Sequence, residues 1–270
     1  MCKIIAICNQ KGGVGKTTTS INLGIGLVQQ GRKVLLLDFD PQGNATQGLG
    51  YELDQLEVTI SDVLHRIMNK EFAFTGDFGI LHHAEGIDLM PANIDLSYVE
   101  TELFSLLFGR ETVLKKYLQM VRDHYDYILI DCSPSLNLFT TNTLVAADEV
   151  LIPLEAQKYS VRGLEQLFYV MSSLLESGLN DNLKIAGLLY TLVRDRTKLF
   201  KEIHDALEAA YGGEIRIYKN YIPCGVAASQ APNYGKSVYA YMGNSKVAAA
   251  YEAFTREFLE IEEGGVEAWK

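Results

Sequence analysis

Apolar positions along this chain fall into two patterns. Short unbroken runs occupy Lys3–Cys8, Lys33–Asp38, Gly86–Met90, Tyr127–Asp131, Glu149–Pro153, Lys184–Tyr190 and Ile215–Tyr218. A strand that is apolar on both faces belongs in a parallel sheet covered by helices. Longer stretches, in which apolar residues return every three or four positions, occupy Lys16–Gln30, Asp95–Phe108, Glu111–His124, Ser160–Ser177, Lys198–Tyr211 and Ser245–Ile261, and predict helices. Strand and helix in alternation predict an α/β fold: a doubly wound, mostly parallel β-sheet flanked by helices. No linker rich in Pro, Gly or Ser and no internal repeat interrupts the pattern, so residues 1–270 read as a single domain. Ligands bind such folds at the carboxyl ends of the strands. The residues after each strand therefore carry the functional signal.

The first strand runs into Asn9-Gln10-Lys11-Gly12-Gly13-Val14-Gly15-Lys16-Thr17-Thr18, and a helix follows. Glycines let backbone approach a phosphate closely, and a helix N-terminus supplies N–H donors. In such a loop Lys16 reaches the β- and γ-phosphates and the Thr17 hydroxyl ligates Mg²⁺. Gln10 stands where the strict motif has its first glycine, but the strand–loop–helix setting supports the assignment. Lys11 is a second lysine that a generic phosphate loop does not need. It is either a solvated charge or a contact to a phosphate of this subunit or another.

Two further strands end in acids. Leu35-Leu36-Leu37 leads into Asp38-Phe39-Asp40-Pro41-Gln42-Gly43, which is either a turn or an acid placed on a metal or on an attacking water. Tyr127–Asp131 leads into Cys132-Ser133-Pro134, and an acid at that point is the Walker B arrangement that holds Mg²⁺.

Composition narrows the possibilities. The 24 Lys and Arg against 34 Asp and Glu give a net charge of −10, which excludes coating nucleic acid by bulk charge but leaves room for a local patch. No apolar run reaches the ~18 residues of a membrane helix, and the N-terminus does not read as a secretory signal. Four scattered cysteines without CxxC spacing read as reduced thiols of a cytoplasmic protein.

Together these boxes resemble the ParA/MinD family of deviant Walker A ATPases. Lys11-Gly12-Gly13-Val14-Gly15-Lys16-Thr17-Thr18 is similar to its phosphate loop. Asp38-Phe39-Asp40-Pro41-Gln42-Gly43-Asn44-Ala45-Thr46 is similar to its switch, and Asp131-Cys132-Ser133-Pro134-Ser135 to its third box. Ile222-Pro223 through Ser229-Gln230-Ala231-Pro232-Asn233-Tyr234-Gly235-Lys236 resembles the Soj-type ParA subgroup. The resemblance implies a P-loop NTPase fold of the SIMIBI type, with ATP and Mg²⁺ as cofactors and slow basal ATP hydrolysis. Residue by residue, it implies phosphate binding by Gly12, Gly13, Val14, Gly15, Lys16, Thr17 and Thr18. Mg²⁺ would lie on Thr17, aided by Asp131 and Asp40, with Asp40 also orienting the hydrolytic water. Lys11 would cross a nucleotide-sandwich homodimer to the partner's ATP. The backbone around Pro223, with the strand ending near Thr191, would lie against adenine.

The same resemblance implies non-specific DNA binding by the dimer, a ParB-like partner that stimulates hydrolysis, and segregation of a chromosome, plasmid or mobile element. Arg194, Arg196, Lys198 and Lys201 are the candidate DNA contacts. Here the chain departs from the family: Cys224 and Ala227 stand where two arginines usually follow the Ile-Pro pair. Between Arg194 and Lys219 six basic residues meet five acidic ones, which is no basic stripe. A ParA relative that positions a protein cargo is therefore the alternative reading. MinD-like membrane cycling needs a basic amphipathic C-terminus, whereas the stretch Phe258–Lys270 carries Glu260, Glu262, Glu263 and Glu267, which anionic lipid repels. An iron–sulfur role needs paired cysteines at a dimer axis, and Cys132 is expected to have no near partner. No helix-turn-helix domain fits before the first strand. Cytoplasmic location with nucleoid association completes the expectation.

Overall fold

A computed structural model describes residues 2–71, 74, 75, 77–157, 160–194 and 198–264. The strands are β1 (Lys3–Ile7), β2 (Val34–Phe39), β3 (Leu81–His82), β4 (Asp88–Met90), β5 (Tyr127–Cys132), β6 (Glu149–Glu155) and β7 (Lys184–Thr191). They form one sheet in the order β3-β4-β2-β5-β1-β6-β7, parallel throughout except for the β3–β4 pair. The helices are α1 (Lys16–Gln29), α2 (Asn44–Gly48), α3 (Ile60–Met68), α4 (Leu96–Ser105), α5 (Val113–Val121), α6 (Leu138–Ala146), α7 (Ser160–Glu176), α8 (Lys198–Tyr211), α9 (Val226–Gln230), α10 (Val238–Met242) and α11 (Lys246–Glu263). They cover both faces. Ile4, Ala6, Leu35, Leu37, Ile128 and Ile130 pack under residues of α3–α8, whereas Ile5, Ile7, Leu36, Leu89 and Leu129 pack under α1 and α9–α11. Alternate residues of each strand thus feed two cores, which is why the strand interiors are apolar on both faces and their polar residues cluster at the ends.

The chain leaves β1 between β5 and β6, and β2 lies beyond β5. The register sets Ile7 opposite Asp131, and Asp131 opposite Asp38. The loop after β1 and the acids ending β5 and β2 therefore meet at one edge of the sheet.

The structure corrects some predicted elements. Ile215–Tyr218 is not a strand: only Ile217 bridges to Leu188. The Glu257 carboxylate on α11 accepts hydrogen bonds from the backbone N–H groups of Lys219 and Asn220, at 2.8 and 2.9 Å, and draws the chain off the edge of β7. Contact resumes where Ile222 N–H donates to Tyr190 O, and continues as Cys224 N–H donates to Val193 O. The Asp95–Phe108 helix stops at Ser105, and α2, α3, α6, α9 and α10 are additional. Of these, α3 carries a capping box, Thr59 with Asp62, that marks its start.

A candidate phosphate and metal site at the strand ends

The loop from Cys8 to Gly15 turns on Gly13 and Gly15, whose φ values of 73° and 82° lie in the left-handed region open to glycine. Two side chains lash it down. The Asn9 amide donates to Pro153 O at 2.7 Å and its carbonyl accepts from Lys11 N–H at 2.9 Å. The Thr191 hydroxyl, at the end of β7, donates to Val14 O at 2.6 Å. Gly15 then starts α1 with no side-chain cap, so the first-turn N–H groups face outward as anion donors. Lys16 is buried and folds over the loop, with Nζ donating to Lys11 O at 3.3 Å.

Asp131 is buried beside this loop. Its Oδ1 accepts from Ser20 Oγ at 2.8 Å, the Thr17 hydroxyl also bonds it, and its Oδ2 has no hydrogen-bond partner. Burial pushes its carboxyl upward in pKa, against the hydrogen bonds of Ser20 and Thr17 and the charge of Lys16. An orphaned buried carboxylate oxygen beside a threonine hydroxyl fits a hard cation that prefers oxygen ligands. Among the described residues no group of three or more His, Cys, Asp or Glu forms a metal cage. Mg²⁺ suits such a partial donor set, because it keeps waters and takes its remaining ligands from phosphates.

Asp38 and Asp40 divide the work of the second acid box. Asp38 is fully buried, and its Oδ2 accepts from Thr46 N–H (2.8 Å) and Thr46 Oγ1 (2.7 Å). Burial raises its pKa and the neighbouring Asp131 raises it further. Thr46 Oγ1 in turn accepts from Ala92 N–H at 3.1 Å. Asp38 is thus a clasp that closes the 38–46 turn. Asp40 instead reaches the cleft, with Oδ1 accepting from Gln42 N–H at 3.0 Å. Replacing Thr46 with valine should destabilise the fold by about 1–3 kcal/mol in urea unfolding, because one buried carboxylate bond is lost and the Ala92 N–H is left unpaired.

The cleft holds about 790 Å³ and is lined by Gly12, Gly13, Gly15, Lys16, Thr17, Thr18 and Asp40 on one side and by Leu192, Cys224 and Gly225 on the other. Val14 is buried behind the loop. Pro223 lies just outside the lining, held at the sheet edge by its bridge to Val193. Thr191 sits under the loop, and its neighbour Leu192 provides the apolar wall.

Lys11 points away from the cleft. Its Nζ donates to Glu155 Oε2 at 3.2 Å and Gln157 Oε1 at 2.5 Å, at and beyond the end of β6. The basic candidates do not gather. Arg194, Lys198 and Lys201 are exposed, but Glu202 and Asp205 follow the two lysines of α8 at i+4. Arg196 lies outside the described residues. Arg216 and Lys219 line a different cleft with Glu208, Glu257 and Glu260. The expectation that Cys132 stands alone is wrong: β1 brings Cys8 Sγ to 2.7 Å from Cys132 Sγ. Sequence reasoning missed Ser20, and it named Thr46 and Thr191 without their bonds to Asp38 and Val14.

A family model described as an AAA domain matches residues 2–185. The sporulation initiation inhibitor protein Soj of Bacillus subtilis is 42% identical over 257 residues, covering 95% of this chain and 98% of Soj. The chromosome partitioning protein ParA of Caulobacter vibrioides is 39% identical over 262 residues, covering 96% and 95%. A crystal structure of cobyrinic acid a,c-diamide synthase from Mycobacterium smegmatis, with bound ATP analogue and magnesium, superposes with a TM-score of 0.83 at 33% identity, covering 100% of this chain and 98% of that one.

Proposed function

The chain belongs to the ParA/Soj family of P-loop ATPases, and on that premise we propose a partitioning ATPase whose ATP-bound form is a sandwich homodimer that binds DNA without sequence preference. The observation that carries the nucleotide site is the convergence of Lys16, Thr17 and the unpartnered Asp131 oxygen at the N-terminus of α1. In this reading Lys16 and the backbone N–H groups of Gly12, Gly13, Val14, Gly15, Thr17 and Thr18 cradle the phosphates of ATP. Thr17, with Asp131 through water and Asp40 nearby, would hold Mg²⁺, which would supply positive charge to the phosphates. Asp40 accepts a hydrogen bond from the attacking water and aligns it with the γ-phosphorus. The backbone between Leu192 and Gly225, next to Pro223, walls the base.

Lys11 adds its positive charge to the γ-phosphate bound by the partner subunit. Catalysis of phosphoryl transfer is mostly positioning and charge, so that lysine makes hydrolysis depend on the dimer. Loss of the γ-phosphate then removes what holds the two copies together. A ParB-type partner stimulates the slow basal turnover, and the whole chain acts as one domain in the cytoplasm, associated with the nucleoid through DNA.

The dispersal of the basic side chains favours one second reading, a ParA-like ATPase that positions a protein cargo without strong DNA contact. The experiment that separates them is binding of the Asp40→Ala protein to non-specific duplex DNA at two salt concentrations. DNA surfing requires binding with ATP and not with ADP, weakened steeply by salt, since each phosphate contact releases about one counterion. A dimer that forms with ATP yet ignores DNA at low salt would leave the cargo reading standing.

A further inference from the structure

Cys8 is the last residue before the phosphate loop proper, and Cys132 directly follows Asp131. Continuing the parallel register, in which Ile7 faces Asp131, sets the two cysteines side by side on the same face of the sheet. Their sulfurs are 2.7 Å apart, and both thiols are free. Cys132 also lines the cleft, so a small solute that enters it reaches this pair from the nucleotide side. The other two cysteines are placed differently: Cys224 is exposed, and Cys2 precedes the opposite end of β1.

We propose that Cys8 and Cys132 are a modification site, a thiol pair that a peroxide oxidises to an intramolecular disulfide and that thereby switches off the nucleotide cleft. The chemistry balances with hydrogen peroxide as the oxidant. One sulfur, as thiolate, attacks a peroxide oxygen; the O–O bond breaks and hydroxide leaves, giving a sulfenic acid. The second sulfur attacks the first, the S–O bond breaks and water leaves. The two sulfurs lose two electrons and peroxide gains them, so two thiols and one peroxide give one disulfide and two waters.

The bond demands geometry that the free pair lacks. A disulfide has its sulfurs about 2.05 Å apart and a torsion near 90° about the S–S bond. Closing the bond draws the two side chains together at the ends of β1 and β5. Those ends carry Asn9, which anchors the phosphate loop, and Asp131. The effect on the cleft rests on the nucleotide reading above; the crosslink itself does not.

The test uses the intact wild-type protein. Affinity for a fluorescent ATP analogue is first measured on the reduced protein, and absence of binding there would count against the nucleotide reading alone. The protein is then treated with hydrogen peroxide, its remaining thiols are alkylated after unfolding, and its peptides are mapped by mass spectrometry without reduction. The expected result is a Cys8–Cys132 linked peptide, two hydrogens lighter than its parts. Affinity for the analogue should weaken by about tenfold, as displacement of positioning groups by a fraction of an ångström implies, and dithiothreitol should restore it. Cys8→Ala should keep its own affinity through the same treatment. Full oxidation of Cys224 with Cys8 and Cys132 still alkylatable would overturn the proposal. A linked pair with unchanged affinity would overturn the switch, as would equal peroxide sensitivity in Cys8→Ala.

Discussion

Replacing Lys16 with alanine is expected to abolish ATP binding and with it all turnover. Lys16 is the cation closed over the phosphate loop, where it also offsets the charge of Asp131. Hydrogen bonds to charged groups contribute about 1.5–3 kcal/mol each, so loss of two such bonds to phosphate weakens binding roughly 10²–10⁴-fold. Titration calorimetry with ATP and Mg²⁺ reads this directly, and thermal unfolding of the variant without nucleotide separates it from misfolding. Lys11→Ala provides the contrast. Lys11 lies outside the cleft, on Glu155 and Gln157, so its loss should spare ATP binding and prevent the ATP-dependent dimer in light scattering. Equal loss of ATP affinity in both variants would mean that the two lysines do not divide the work.

Asp40→Ala should give the opposite phenotype, with ATP bound, the dimer persistent and turnover lower by about 10²–10⁴-fold, the range for loss of a positioned proton acceptor. The local cost is small, because Asp40 Oδ1 accepts one backbone N–H, from Gln42. Asp38 would not behave this way. Its carboxylate holds Thr46 from inside the fold, so its removal should loosen the turn instead of freezing the reaction. Single-turnover hydrolysis alongside light scattering distinguishes the cases. Unchanged turnover in Asp40→Ala removes Asp40 from the mechanism.

The phosphate loop was legible in the sequence because each of its requirements is local: glycines, a lysine and a helix start within a few residues of a strand. Asp131 was legible for the same reason. Its orphaned oxygen and its bond to Ser20 were not, because Ser20 comes from an element 111 residues away and looks like any helical serine. The bond from Thr191 to Val14 escaped likewise, spanning 177 residues. The acid pair in Asp38-Phe39-Asp40 was visible, but its division into clasp and cleft residue depends on where β2 ends and on where Thr46 folds back. Ile215–Tyr218 has the composition of a strand and fails to become one because a carboxylate from α11 takes the neighbouring N–H groups. The basic residues were the least readable, since their grouping depends entirely on where helices and edges place them.

The rest position of Lys11 has a consequence for how assembly responds to protein concentration. Its ammonium is already satisfied within its own subunit by Glu155 and Gln157. An intramolecular partner acts at an effective concentration in the millimolar range, about what short tethers give. A second copy of the chain competes against that internal supply, so a nucleotide-free encounter offers the lysine nothing better than it holds. Only a phosphate carrying several negative charges outbids a single carboxylate and an amide. In the proposed dimer, the tether would set a threshold that filters collisions by nucleotide state before any catalysis takes place.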